Sequence, residues 1–180
     1  MADLDKVPTE IRSGLMQAID ANGWPLYLHG PPGTGKTCLA ALLYSRWLGK
    51  AVWFSTRSLL LDLAAYRADS ERQMDWFMPS GQTFQRPTAN AWDDLTNPKW
   101  LVCLDDIGTR GLSDTQTEIL LDLLDKRVGD PLIVTGNHGM EELRKILDPR
   151  IVSRLFAGTV ICLTGKDHRE PLHEVEVSNG

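Results

Sequence analysis

Gly30-Pro31-Pro32-Gly33-Thr34-Gly35-Lys36-Thr37 brackets four residues between two glycines and follows them with Gly35-Lys36-Thr37. This is the spacing of the Walker A loop, and each residue type suits the grip on a polyphosphate. Glycines let the backbone turn tightly, so that successive N–H groups point inward as a nest for anionic oxygens. Lys36 supplies a mobile point charge for β- and γ-phosphates, and the Thr37 hydroxyl is a hard oxygen of the kind Mg2+ accepts. A helix starting at the loop adds the positive end of its dipole.

Two further stretches hold groups that belong with a phosphate site. Trp100-Leu101-Val102-Cys103-Leu104-Asp105-Asp106 is an apolar run ending in paired carboxylates. Such a run marks a central parallel strand covered on both faces, and ligands of open α/β sheets bind at its carboxyl end. In this Walker B pattern Asp105 holds the Mg2+ shell and Asp106 orients or deprotonates an attacking water; the alternative is a pair of caps for the next helix. Pro131-Leu132-Ile133-Val134-Thr135-Gly136-Asn137 is a second buried strand ending in a polar side chain. Asn137 is thereby placed to hydrogen-bond the γ-phosphate or the water, or to serve as a turn residue. Arg150 and Arg154, at i and i+4, share one face of a predicted helix, while Ile151 and Leu155 share another. Two arginines side by side suit a charged object brought up from outside, or simply a solvated face.

These groups need a scaffold of alternating strands and helices. Pro8 to Asp20 reads as a helix with Ile11, Leu15 and Ile19 on one face, ended by Asn22-Gly23. Its expected role is packing beside the first strand, with a part in a base pocket as the alternative. Trp24 to His29 is the first strand and Cys38 to Leu48 the helix after the loop. Ala51 to Thr56 is the second strand, and Arg57 to Ala68 a helix with Leu60, Leu61, Ala64 and Ala65 on its buried side. Ser113 and Gln116 form a capping box for a helix ending near Arg127. Asp148 and Pro149 supply the N-cap and first residue of the helix bearing the two arginines. Thr159 to Thr164 is a last core strand. Asp69 to Lys99 is the least legible stretch. Its Trp76, Phe77, Phe84 and Trp92, interleaved with Arg72 and Arg86, suit a stacking platform for single-stranded nucleic acid, a cap on the sheet edge or a partner's docking site.

A chain of 180 residues, 42% hydrophobic, is long enough for one domain with its own core. No apolar run approaches the ~20 residues that span a bilayer, and the acidic start is no secretory signal. Three scattered cysteines show no metal spacing; Cys103 and Cys162 are placed in core strands, and a cytoplasmic location is expected. The net charge of −5 argues against coating DNA by bulk positive charge. From Arg144 to Arg169, however, six Lys/Arg face two Asp/Glu, a solvated face or one that meets phosphates.

Together GPPGTGKT, LVCLDDIG, IVTGN and DPRIVSRLFAGTVICLTGKDHR resemble the AAA+ ATPases of the DnaC/IstB group, helicase loaders and ATP-binding helpers of transposases. The resemblance runs from Trp24 to Arg169. It implies an α/β P-loop NTPase fold of the AAA+ kind, a parallel sheet with helices on both faces; in a departure from many members of the family, the AAA+ core is expected without the helical lid. The expected organisation is a helical segment over 1–23, the ATPase core over 24–169 and a polar tail over 170–180. It implies that Gly30 to Thr37 bind ATP, that Thr37 and Asp105 hold Mg2+, and that Asp105 and Asp106 take the Walker B roles. Asn137 is implied as sensor 1, and Arg154, assisted by Arg150, as the finger that completes a neighbouring subunit's site. Asp106 stands where most AAA+ proteins have Glu. In initiator-type members the stretch between strands two and three inserts helices that touch DNA. The implied activity is ATP hydrolysis in a nucleotide-dependent homo-oligomer acting in DNA replication, with single-stranded DNA and a replicative helicase as partners. A transposase helper, a small-molecule P-loop kinase and a nucleotide-gated module without turnover are the alternatives.

Overall fold

The computed structural model describes residues 7–66, 73–77 and 83–164. In chain order the elements are α1 (Thr9–Asp20), β1 (Leu26–His29), α2 (Lys36–Arg46), β2 (Ala51–Ser55), α3 (Thr56–Tyr66), β3 (Gln73–Phe77), β4 (Thr83–Pro87), α4 (Thr88–Leu95), β5 (Leu101–Ile107), α5 (Asp114–Lys126), β6 (Leu132–Gly136), α6 (Met140–Leu143), α7 (Pro149–Leu155) and β7 (Thr159–Cys162). Among the described residues the strands form one sheet in the order β4-β3-β2-β5-β6-β1-β7. β2, β5, β6, β1 and β7 run parallel.

Strand side chains alternate between two apolar layers. Leu101 and Cys103 of β5, Leu26 and Leu28 of β1 and Ile133 of β6 pack with Leu15 and Ala18 of α1 and Leu39, Ala40 and Tyr44 of α2. Their neighbours Val102, Leu104, Tyr27, Leu132 and Val134 face α3, α4, α5 and α7, through residues such as Leu60, Leu95, Leu120 and Ile151. Helices therefore cover both faces, as the apolar strand runs require. α1 takes part by packing through Leu15 and Ala18, and no residue of α1 lines the cleft described below. The Ser113–Gln116 capping box forms, and the Asp148 carboxylate accepts the Arg150 N–H at 2.8 Å in front of Pro149.

The sheet is not parallel throughout. β3 and β4 form an antiparallel hairpin that extends it from β2, followed by α4, where the resemblance had pointed to inserted helices. Trp92 of α4 packs against the core with Lys126 over its ring, so it is no open stacking face. Arg72 and the side chains of Trp76, Phe77, Phe84 and Arg86 lie outside the description, as do Lys166, Arg169 and the 170–180 tail. Among the described residues β7 pairs with β1 alone, and it is only partly covered; Cys162 is exposed, not in the core as its strand pattern suggested, whereas Cys103 is buried. Among the described residues no helix is long and apolar enough to cross a membrane.

The pole of the sheet where its parallel strands start is tied by Arg127, 1% exposed. Its guanidinium donates to the carbonyls of Leu95 (2.7 Å), Asn97 (3.1 Å), Trp100 (2.6 Å) and Pro131 (2.6 Å), joining the end of α4 to the starts of β5 and β6. Burial pushes its pKa down to about 10, partly offset by Asp130, and it stays charged at neutral pH. Arg127→Ala takes a donor from four carbonyls, of which those of Asn97 and Pro131 keep the Trp100 and Val102 N–H, and is expected to cost on the order of 3 kcal/mol in urea unfolding. Arg127→Lys, with one compact ammonium for the planar fork, should recover less than half of that loss.

Candidate active site

The loop between β1 and α2 closes a cleft of about 460 Å³ at the carboxyl end of the sheet, lined by Pro32, Gly33, Gly35, Lys36, Thr37, Cys38, Asp105, Asp106, Thr135 and Asn137. Gly33 and Gly35 adopt φ of 79° and 87°, the left-handed region that turns backbone N–H groups into an anion nest. α2 begins at Lys36 and directs its N-terminus to the same space. Lys36 is almost buried, and its ammonium donates to the carbonyls of Gly30 (2.8 Å) and Pro31 (2.7 Å). Thr34 donates to the Pro31 carbonyl at 2.9 Å, bracing the turn.

How two consecutive aspartates both reach this cleft is a question of strand geometry. In a regular strand adjacent side chains leave on opposite faces. Here Leu104 pairs with Val134 and Ile107 with Gly136, so Asp105 and Asp106 together oppose the single residue Thr135. This is a β-bulge, and Asp106 sits in it at φ 64°. The bulge turns both carboxylates to the cleft. Asp105 Oδ1 accepts from the Thr37 hydroxyl at 3.0 Å and from the Thr135 hydroxyl at 2.5 Å, while the buried Thr56 hydroxyl donates to the Asp105 carbonyl at 2.9 Å. Thr135 in turn accepts the Asp106 N–H at 2.9 Å.

Asn137, just past β6, reaches Asp106 Oδ1 from its amide nitrogen at 3.4 Å. The Tyr27 hydroxyl donates to the His138 carbonyl at 2.8 Å, anchoring the chain one residue beyond Asn137. His29, next to Gly30, stacks on Tyr27 at 5.5 Å. Burial and then the Lys36 ammonium lower its pKa, with Glu142 opposing, so it is neutral at pH 7.

The structure does not bring the two arginines to this cleft. Arg154 pairs with Asp125 in the last turn of α5 through Nε to Oδ1 and through Nη2 to Oδ2, the latter at 2.9 Å. Its Nη1 donates to the Arg150 carbonyl at 3.0 Å. α5 leaves the cleft end after β5 and returns to the pole held by Arg127, which places Asp125 and Arg154 towards the far end of the sheet. Arg150 closes on Asp148, whose pKa falls to about 2 through the Arg150 side chain and then its N–H. Both arginines are thus paired within the chain.

Thr37 and Asp105 offer two hard oxygens 3.0 Å apart, the donor chemistry Mg2+ prefers. Among the described residues no group of three or more His, Cys, Asp or Glu could hold a metal ion. A divalent ion here therefore fits only as Mg2+ usually binds, with phosphate oxygens completing the shell. Sequence reasoning missed Thr135 and Thr56. The signal for Thr135 was a hydroxyl inside the otherwise apolar run LIVTG, legible once β6 is set beside the aspartates.

A phosphate-binding loop after the first strand and acidic residues at the carboxyl end of a central parallel strand define a P-loop nucleotide-binding fold. Residues 18–156 match the family described as IstB-like ATP binding protein, and the chain belongs to that family. Among solved structures, the DnaC helicase loader is similar at TM-score 0.62 and 19% identity, over 87% of this chain and 92% of that one. DnaI matches at TM-score 0.65 and 21% identity, over 93% and 90%. The replication initiator DnaA bound to AMPPCP and single-stranded DNA matches at TM-score 0.65 and 15% identity, over 88% of this chain but 46% of that one. These likenesses are likenesses of fold. No curated protein matches the chain significantly in sequence.

The strained bulge yields a stability prediction. Asp106→Gly releases the left-handed conformation, whereas Asp106→Ala keeps a Cβ in it. Urea unfolding should find the glycine variant more stable than the alanine variant by about 1 kcal/mol; equal stabilities would remove the strain from the site.

Proposed function

We propose that this ATP-binding domain hydrolyses ATP between assembled subunits and acts on DNA in replication, as a loader or accessory of a helicase. The observation that carries this reading is the convergence of Lys36, Thr37, Asp105, Asp106 and Asn137 on one cleft, with Arg154 towards the opposite pole of the same subunit. Gly30 to Thr37 wrap the phosphates with backbone N–H groups, and Lys36 exchanges its two loop carbonyls for β- and γ-phosphate oxygens. Thr37 and Asp105 would hold Mg2+, which when bound neutralises charge on those oxygens. Asp106 takes the proton of the attacking water or orients it, and Asn137 hydrogen-bonds the γ-phosphate or that water. Asp106 reaches less far than a glutamate, and slow turnover is the expected result.

Arg154 is remote from its own subunit's cleft, so it acts on a neighbour's. The edge of its guanidinium that grips a phosphate, Nε with Nη2, holds Asp125 in the free subunit. Exposed pairs of this kind are weak, about 0–1 kcal/mol, so a triphosphate can displace the carboxylate. Arg150 assists from the same helix face. Nucleotide-dependent assembly follows, with single-stranded DNA as the ligand along which it forms and the cytoplasm as its place of action. A second reading, an ATP-binding helper of a transposase, is favoured by the IstB-like family match itself. Pull-downs against a replicative helicase and a transposase separate the two.

Steady phosphate release from ATP should fall at least ~100-fold in Lys36→Ala and in Arg154→Ala under assembling conditions. Mixing the two variants should restore part of the activity, because a Lys36-bearing cleft then meets an intact Arg154. Arg154→Ala hydrolysing at the wild-type rate would exclude the trans role, and no phosphate release from wild type would leave a binding module without turnover.

A further inference from the structure

A buried hydroxyl rarely sits in the middle of a fully apolar strand without a task, and Thr135 is 2% exposed in β6 with every other residue of that strand buried. Its oxygen has one proton to give and lone pairs to accept with. The Asp106 N–H takes a lone pair at 2.9 Å, and the proton goes to Asp105 Oδ1 at 2.5 Å. One side chain thus bonds both aspartates, one through its backbone and one through its carboxylate.

The need for such a group follows from the bulge. Two β5 residues opposite one β6 residue leave an N–H that the ladder cannot pair, and an orphaned N–H in the sheet interior is costly. Thr135 stands at the single opposing position and supplies the missing acceptor. Because it accepts there, its proton is committed to Asp105, which fixes that carboxylate's rotation together with the Thr37 hydroxyl. No hydrogen bond reaches Asp105 Oδ2 among the described residues, which leaves that oxygen for the cleft. Two residues further along, the same strand delivers Asn137 to Asp106.

We infer that Thr135 is a positioning residue: its hydroxyl pins the bulge that turns Asp105 and Asp106 to the cleft, and thereby sets the affinity for Mg2+ with nucleotide and the rate of hydrolysis. This rests on the ATPase reading above. It assigns Thr135 no contact with the nucleotide; Thr135 acts through the two carboxylates.

The test compares wild type, Thr135→Val and Thr135→Ser by calorimetric titration with a non-hydrolysable ATP analogue, with Mg2+ and with EDTA. Steady-state hydrolysis and thermal unfolding run alongside. Valine keeps the shape of threonine and loses the hydroxyl; serine keeps the hydroxyl. Thr135→Val should bind the analogue in EDTA within about threefold of wild type and lose about 10–100-fold of the Mg2+-dependent gain, with kcat falling more than KM rises. Thr135→Ser should restore the Mg2+-dependent gain even where its thermal midpoint stays low. A Thr135→Val protein with the full Mg2+ gain would overturn the proposal. So would valine and serine variants impaired equally and in step with their thermal midpoints, since that is a packing role. Wild type that gains nothing from Mg2+ would instead overturn the ATPase reading beneath it.

Discussion

The site depends on a mismatch of one residue between two neighbouring strands. Two aspartates oppose one threonine, and the extra residue turns what would be one inward and one outward carboxylate into a pair facing one cleft. The cost is a non-glycine residue held at φ 64°. That cost is tolerated because the surroundings over-determine the conformation. Thr135 takes up the orphaned N–H, Thr37 and Thr135 fix Asp105 Oδ1, and Thr56 holds the Asp105 carbonyl. The last of these comes from α3 and Thr37 from α2, so helices from both faces of the sheet tie into the same residue, Asp105.

The rest of the fold keeps this arrangement stiff. Two apolar layers enclose β5 and β6, the strands that carry the bulge, and at the far pole Arg127 clamps their starts to the end of α4. Strand register is thereby held at the start of β5 and β6 and broken only where the chemistry sits. The polarity of the subunit follows as well. Its phosphate loop and aspartates occupy one end of the sheet, while Arg154 and Asp125 lie towards the other. With Arg150 on Asp148 and Arg154 on Asp125, both arginine charges are compensated within the chain.

Much of this was legible in the residues. The strand–loop–helix around Gly30 to Thr37, the acidic end of the run at Trp100 and the capping signals at Ser113 and Asp148 express short-range chemistry, and short-range chemistry is written locally. The Cys103 and Leu101 positions in the core followed from an apolar run covered on both faces. The hairpin β3–β4 was illegible because its pairing depends on a neighbour, β2, and its turn signals were mixed with polar residues. Cys162 was misplaced because an apolar pattern does not distinguish a central strand from an edge strand with one partner. The pairing of Arg154 with Asp125 joins residues 29 apart, and Thr135 meets Asp105 across a separation of 30. Such contacts follow from sheet order and register, which no local pattern encodes.

The most direct test of the account is a crystal structure of the protein with a non-hydrolysable ATP analogue and Mn2+ in place of Mg2+, read from the anomalous signal of the manganese. The account predicts a single manganese peak in coordination range of Thr37 Oγ1 and, directly or through a water, of Asp105, with the triphosphate in the Gly30–Thr37 loop. A nucleotide bound without a metal near those oxygens, or a manganese peak away from the bulge, would contradict it.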